Sequence, residues 1–251
     1  MIQKAHIIST GSYLPEKVLS NSDLEKMVDT SDEWIFSRTG MKERRLAAAD
    51  EPTSEMGFQA AKKAIEKAGI DVEEIELILF ATLTPDYPFP STACLIQARL
   101  GAFNAAAVDL QAACTGYIYA LSQAKAYIES GMYRSILIVA SEKLSSIVNY
   151  QDRATCVLFG DGAAACIVAA EGKGLFISDI CLGADGRLAE LLIIPAGGSK
   201  KPASIETVQA NQHYLKMEGK ELFKHAVRRM EMAASRCFER ASLKKEQINW
   251  L

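Results

Sequence analysis

Short apolar blocks alternate along this chain with longer stretches of helical spacing, and turn-forming residues fall at the joins. That interleaving predicts an α/β protein. Residues 4–10 read as a strand closed by Gly11 and Pro15, and Asn21-Ser22-Asp23 opens a short helix. Thr30, Ser31, Asp32 and Glu33 have capping-box spacing and open a helix over 32–39, stopped by Gly40. Thr53-Ser54-Glu55 caps a longer helix that ends at Gly69. A strand over 77–83 leads into a loop punctuated by Pro85, Pro88 and Pro90, and 91–100 is helical. Residues 105–110 form an apolar strand, a helical pattern runs from Cys114 to Gly131, and 135–141 is a strand. Apolar runs at 155–159 and 163–170 flank Gly160-Asp161-Gly162, which reads as a tight turn between strands. Strands over 175–182 and 190–194, a polar loop over 196–209, an amphipathic helix over 219–242 and the start of a strand at 248–251 complete the pattern.

One segment recurs. Glu66 to Leu77 aligns without gaps on Glu239 to Trp250, an offset of 239 − 66 = 173. Each copy is a helix C-terminus, a turn, an isoleucine and a strand, which predicts two similar halves, 1–172 and 173–251. After Leu77 the first half continues through a loop, a helix and another strand, whereas the second copy has one residue after Trp250. The expectation is a second half that is cut short, with further residues belonging after Leu251.

The chemistry concentrates at Asp109 to Tyr119. An apolar strand stops at Ala112-Ala113 and a helical pattern starts at Cys114, so one thiol stands at a strand-to-helix turn. Unpaired N–H groups and the helix dipole there favour a thiolate, which is a nucleophile. Thr115 and Gly116 are small enough to leave room for an incoming acyl group. The other cysteines, Cys94, Cys156, Cys166, Cys181 and Cys237, read as small hydrophobes. None of the six forms a Cys-x-x-Cys pair, which argues for a reducing compartment and against structural zinc.

The totals narrow the class. At 251 residues, 49% hydrophobic and 24% charged, the chain has the make-up of a soluble globular protein. A net charge of −3 argues against general affinity for nucleic acid, no segment is long and apolar enough to cross a bilayer, and no signal peptide is evident. On the long C-terminal helix, Lys216, Lys220, Lys224, Arg228, Arg236 and Arg240 recur at multiples of four. The stripe is either a solvated face or a dock for an acidic protein, with Lys224 and Arg228 the first candidates.

Several motifs together resemble β-ketoacyl-acyl-carrier-protein synthase III, the initiating condensing enzyme of dissociated fatty-acid synthesis. They are Thr30 to Gly40, Phe89 to Cys94, Asp109 to Tyr119, Asp152-Arg153 and Phe159 to Ala163. The resemblance implies a thiolase-like fold, two duplicated halves stacked as five layers αβαβα. It implies that Cys114 takes an acyl group, acetyl by preference, from acyl-coenzyme A and condenses it with malonyl-acyl-carrier protein, losing carbon dioxide. Trp34 and Arg153 match residues that sandwich the adenine of coenzyme A, and Arg38 one that contacts its nucleotide end; Phe89 matches a residue that reaches the acyl pocket of the partner subunit, Met217 and Gly219 match part of the acyl and pantetheine tunnel, and Lys224 and Arg228 fit carrier-protein docking. The family pattern implies a homodimer, no metal, no cofactor beyond the coenzyme A thioester as substrate, and a bacterial cytoplasm or plastid stroma. It also requires a histidine and an asparagine as thioester-oxygen donors, expected beyond the strand at Asn249 to Leu251. Two other readings stay open: a related acyltransferase of polyketide or quinolone type, and a catalytically inactive truncated fragment.

Overall fold

A computed structural model describes residues 3–249. The chain forms two compact units, one of residues 1–19, 43–146 and 160–177, the other of 20–42, 147–159 and 178–251. Neither coincides with a half as divided by the repeat.

The first unit is built on a six-stranded mixed sheet. Its strands are β1 (His6–Tyr13), β4 (Leu77–Ala81), β5 (Ala106–Leu110), β6 (Ser135–Lys143), β7 (Asp161–Ala169) and β8 (Leu175–Phe176), in the order β5-β4-β6-β7-β1-β8. β4 is parallel to both β5 and β6, and the β6–β7–β1–β8 side is antiparallel. A short ribbon joins β2 (Lys17–Ser20) to β3 (Glu43–Leu46).

The sheet is covered by helices on both faces. Helix α3 (Thr53–Ala68) sets Met56, Ala60, Ala61 and Ala64 against Phe80, Leu137, Val139, Ala165 and Ile167, and α4 (Thr92–Leu100) adds Ala93 and Ile96. Side chains alternate along a strand, so Ala81 and Cys166 point the other way, toward α5 (Gly116–Glu129). The alanine-rich face of α3 lets helix and sheet approach closely. A β-carbon at Gly11 on β1 would lie 2.3 Å from the Ala60 carbonyl oxygen and 2.6 Å from the Ala64 nitrogen.

The second unit holds α1 (Asn21–Leu24), α2 (Asp32–Thr39), α6 (Arg153–Cys156), α7 (Ile205–Gln209) and α8 (Gly219–Arg240), with β9 (Leu192–Ile193) paired to β10 (Lys216–Met217). Helix α2 has the predicted bounds: Ser31 caps it, Gly40 ends it at φ 72°, and Ile35 is its buried residue. Helix α8 is amphipathic but buries no residue, and Phe223, Val227 and Met230 on it are exposed. Arg229 and Arg240 tie it to Asp185 and Asp179.

The repeat is visible in the backbone. The 3-10 turn Val72–Glu74 after α3 corresponds, at offset 173, to the 3-10 turn Lys245–Gln247 after α8. Gly69 and Ser242, also 173 apart, both adopt left-handed φ, 67° and 53°. The Asp71 N–H donates to Glu74 Oε1 at 2.8 Å, and the Lys244 N–H donates to Gln247 Oε1 at 2.8 Å. The same cap closes the same turn in both copies. Trp250 and Leu251, where a matching strand is expected, lie outside the described residues.

Several expectations are corrected. Gly160-Asp161-Gly162 is not a turn between strands, because β7 starts at Asp161 and residues 153–156 are helical. The strand expected over 175–182 is Leu175–Phe176 alone, and the one over 190–194 gives way to a 3-10 segment, Gly186–Leu191, before β9. The polar loop over 196–209 ends in α7, opened by a Ser204 capping box.

Replacing Gly11 by alanine is expected to cost about 1–3 kcal/mol, the usual range for overpacking against atoms that cannot move aside. Chemical denaturation of Gly11→Ala beside the parent checks it.

Candidate active site

The thiol of Cys114 is exposed and follows β5 directly. It sits not in the helix but in a 3-10 turn, Ala113–Thr115, that precedes α5. Ala112 at φ −140° and Ala113 at φ 46° break helical geometry, so the first regular turn begins at Gly116. A left-handed non-glycine residue costs on the order of 1–3 kcal/mol and persists only where its surroundings over-determine it. Here the Thr115 hydroxyl donates to the Ala112 carbonyl at 2.9 Å, and a β-carbon at Gly116 would lie 3.0 Å from Ala81 Cβ. The strand end, the strained alanine and the tightly seated glycine together fix where the sulfur stands.

Asp109 on β5 has a role that the sequence pattern did not disclose. Its carboxylate accepts the backbone N–H groups of Thr92 and Ala93, both at 2.7 Å, at the start of α4. Ser91 also caps that helix, accepting the Cys94 N–H at 3.4 Å. The strand that ends at the thiol and the helix that follows the proline loop are therefore joined by charge-assisted bonds. The available signal was an acid inside the apolar run 105–110, which must find donors when the strand forms.

Glu142 at the end of β6 holds the other end of the same loop. Its carboxylate accepts the Leu83 N–H at 2.9 Å, the Thr84 hydroxyl at 2.5 Å, the Thr84 N–H at 3.2 Å and the Thr82 hydroxyl at 3.2 Å. Burial pushes its carboxyl above the usual carboxylate range, against the pull of these bonds. Within the loop, Phe89 is 88% exposed and Tyr87 57%.

In the second unit, Trp34 on α2 and Arg153 on α6 meet. The Arg153 guanidinium lies 4.4 Å from the Trp34 ring centroid, and its Nη1 is 3.9 Å from Asp29. Arg38, one turn along from Trp34, is exposed, and the stacking partner of the ring is Arg153. Met217 lies on β10, and its Cε would be 3.2 Å from a β-carbon at Gly219, the first residue of α8. Lys224 pairs with Glu221 at 3.0 Å, and Arg228 is exposed on the same helix.

The 3-oxoacyl-[acyl-carrier-protein (ACP)] synthase III family matches residues 108–186, the segment that contains Cys114 and Arg153. The β-ketoacyl-[acyl-carrier-protein] synthase III of Chlamydia caviae is 61% identical over the whole chain, which covers 75% of that protein. The chain belongs to the β-ketoacyl-[acyl-carrier-protein] synthase III family. The crystal structure of the Aquifex aeolicus VF5 synthase III superposes with a TM-score of 0.86 at 47% identity, over 97% of this chain and 74% of that one. A second synthase III crystal structure gives 0.92 at 32% identity, over 98% and 77%. The fold is thus thiolase-like α/β, and the protein is a condensing enzyme, an acyltransferase, of fatty-acid synthesis. Among the described residues no helix is long and apolar enough to cross a membrane, and no group of three or more side chains could hold a metal ion.

Asp109→Ala leaves the Thr92 and Ala93 N–H groups without their acceptor. It is expected to destabilise the synthase by about 2–3 kcal/mol, the scale for bonds to a charged group. A lowered denaturation midpoint, together with a changed alkylation rate at Cys114, checks the tie between helix and nucleophile strand.

Proposed function

We propose that Cys114 accepts an acyl group, acetyl by preference, from acyl-coenzyme A. The thiolate attacks the thioester carbonyl, a new C–S bond forms, and the coenzyme A thiolate leaves. In the second step malonyl-acyl-carrier protein loses carbon dioxide, and the electron pair of the broken C–C bond attacks the acyl carbonyl. The Cys114 thiolate departs and 3-oxoacyl-acyl-carrier protein is released. The observation that carries this reading is the exposed thiol at the constrained turn after β5.

Trp34, Arg153 and Arg38 are proposed to hold the nucleotide end of coenzyme A. An adenine between Trp34 and Arg153 needs roughly two contact distances, about 7 Å. The pair at 4.4 Å is closed, so the nucleotide must part it. Phe89, Met217 and Gly219 are assigned to the acyl pocket, and Lys224 and Arg228 to carrier-protein docking. The open edge of β5, with Val108, Ile118 and Phe103 exposed near it in the chain, supports a homodimer. No metal or cofactor is required, because the coenzyme A thioester enters as substrate, and a cytoplasmic or plastid-stromal setting fits the chemistry. Of the described histidines, His213 bonds Thr207 at 2.9 Å, His225 faces Glu221 at 3.5 Å, and His6 packs on Phe176.

Intact mass before and after acetyl-coenzyme A, beside Cys114→Ala, tests the first step. One acetyl group on the parent and none on the variant is expected; an adduct that survives the substitution would assign the reaction to another residue. Trp34→Ala is expected to weaken coenzyme A binding by about 5- to 150-fold, since stacking on one base contributes about 1–3 kcal/mol. Titration calorimetry measures it, and unchanged affinity would remove Trp34 from the nucleotide site.

A further inference from the structure

The loop from Thr82 to Ser91 carries the most exposed aromatic side chain of the first unit, Phe89, yet both its ends are fastened. At the trailing end Asp109 holds Thr92 and Ala93. At the leading end four donors from three consecutive residues converge on Glu142. Further bonds lock the same stretch: the Thr53 hydroxyl donates to the Thr84 carbonyl at 2.6 Å, and Asp86 accepts the Ser54 N–H at 2.9 Å and its hydroxyl at 2.5 Å.

Glu142 is an unusual choice for a purely structural anchor. Among the described residues no cation pairs with it; the neighbouring Lys143 ammonium is directed instead to the carbonyls of Ala48 and Glu51, at 2.6 and 2.9 Å. A half-buried carboxylate without a counter-charge is costly, and hydrogen bonds alone offset that cost. What the group supplies is geometry, because two oxygens can accept from Thr82, Leu83 and Thr84 together only with those backbones in one arrangement. Glu142 follows Ser141, whose hydroxyl donates to the Thr53 carbonyl at 2.8 Å, so the anchor itself is locked to the start of α3.

We propose that Glu142 is a positioning residue that sets the acyl-chain preference of the enzyme, by fixing the base of the loop that presents Phe89 to the acyl pocket. The proposal rests on the acyl-transfer reading and on the assignment of Phe89 to the acyl pocket. Glu142 touches neither the thiol nor the acyl group; it acts through the loop.

The test uses Glu142→Gln, Phe89→Ala and the double variant. The glutamine amide must turn an N–H₂ toward N–H or hydroxyl donors, which loosens the clamp while conserving volume. Acylation of Cys114 by acetyl- and by hexanoyl-coenzyme A is followed by intact mass, and alkylation by iodoacetamide reports the bare thiol. In Glu142→Gln the acetyl-to-hexanoyl rate ratio is expected to shift by at least about fivefold, with alkylation within about twofold of the parent. In the Phe89→Ala background the same substitution is expected to shift the ratio by less than about twofold, since the route through Phe89 is gone. An unchanged ratio in folded Glu142→Gln overturns the proposal. So does an undiminished shift in the Phe89→Ala background, or a parallel loss of alkylation. If Glu142→Gln does not fold, Thr84→Val removes a donor and leaves the carboxylate; it must reproduce the shift, and an unshifted ratio there overturns the proposal equally. A parent protein that takes up no acyl group overturns the acyl-transfer reading itself, a result distinct from an unshifted ratio in a variant that still acylates.

Discussion

The arrangement around the thiol depends on how β5 is held. Among the described residues it is an edge strand of its sheet, laddered only to β4, and its side chains are exposed or half-buried throughout. A strand in that position has half its backbone groups unpaired and would otherwise be free to fray. The carboxylate of Asp109 supplies the missing constraint. It faces the same side of the sheet as Phe80, its partner in register, and there it binds the start of α4. The strand leading to Cys114 is thus braced by a neighbouring helix and by one ladder, and the thiol inherits that rigidity.

Rigidity explains why the sequence at the turn is so small. Ala112, Ala113, Thr115 and Gly116 surround the cysteine, and each has little side chain to obstruct an acyl donor. Small size also lets the turn be strained. Ala113 adopts left-handed φ, and a β-carbon at residue 116 would crowd Ala81 Cβ at 3.0 Å, so the glycine lets α5 pack closely there. The cost of that geometry is met by the sheet contacts around it, which is the usual place for strain in an enzyme.

Much of this was legible in the sequence, for reasons that differ by element. Helix α2 was legible to the residue because its cap and its terminal glycine are local signals. The duplication was legible because a cap and its turn need specific residue types, and Glu74 and Gln247 can both supply the same side-chain oxygen. The start of α5 was not, because nothing in an Ala-Ala-Cys-Thr-Gly sequence reveals which alanine turns left-handed. Local spacing did not disclose the Trp34–Arg153 contact, since its members are 119 positions apart (153 − 34) and Arg38 is the nearer cation; only the family resemblance set the two residues side by side. The short strands β2, β3 and β10 carry too few residues for a period to register.

The acids are the deepest case of hidden information. By composition they are counted toward a net charge of −3 and a solvated surface. Asp161, Asp109 and Glu142 are among those that instead serve as backbone acceptors inside the first unit. Asp161 accepts the Ala47 N–H at 2.7 Å, the Ser145 N–H at 2.8 Å and the Ser145 hydroxyl at 2.6 Å, joining the chain after β3 to the chain after β6. Asp109 and Glu142 do the same at the two ends of the Phe89 loop. Each sits at the boundary of a strand, where the ladder stops and N–H groups of adjoining loops need acceptors. A carboxylate has two oxygens and can meet several donors at once, which a backbone carbonyl bonded in a sheet cannot. Acids at strand ends therefore act as the joints of this fold, and two of them, Asp109 and Glu142, hold the two ends of the loop that carries Phe89.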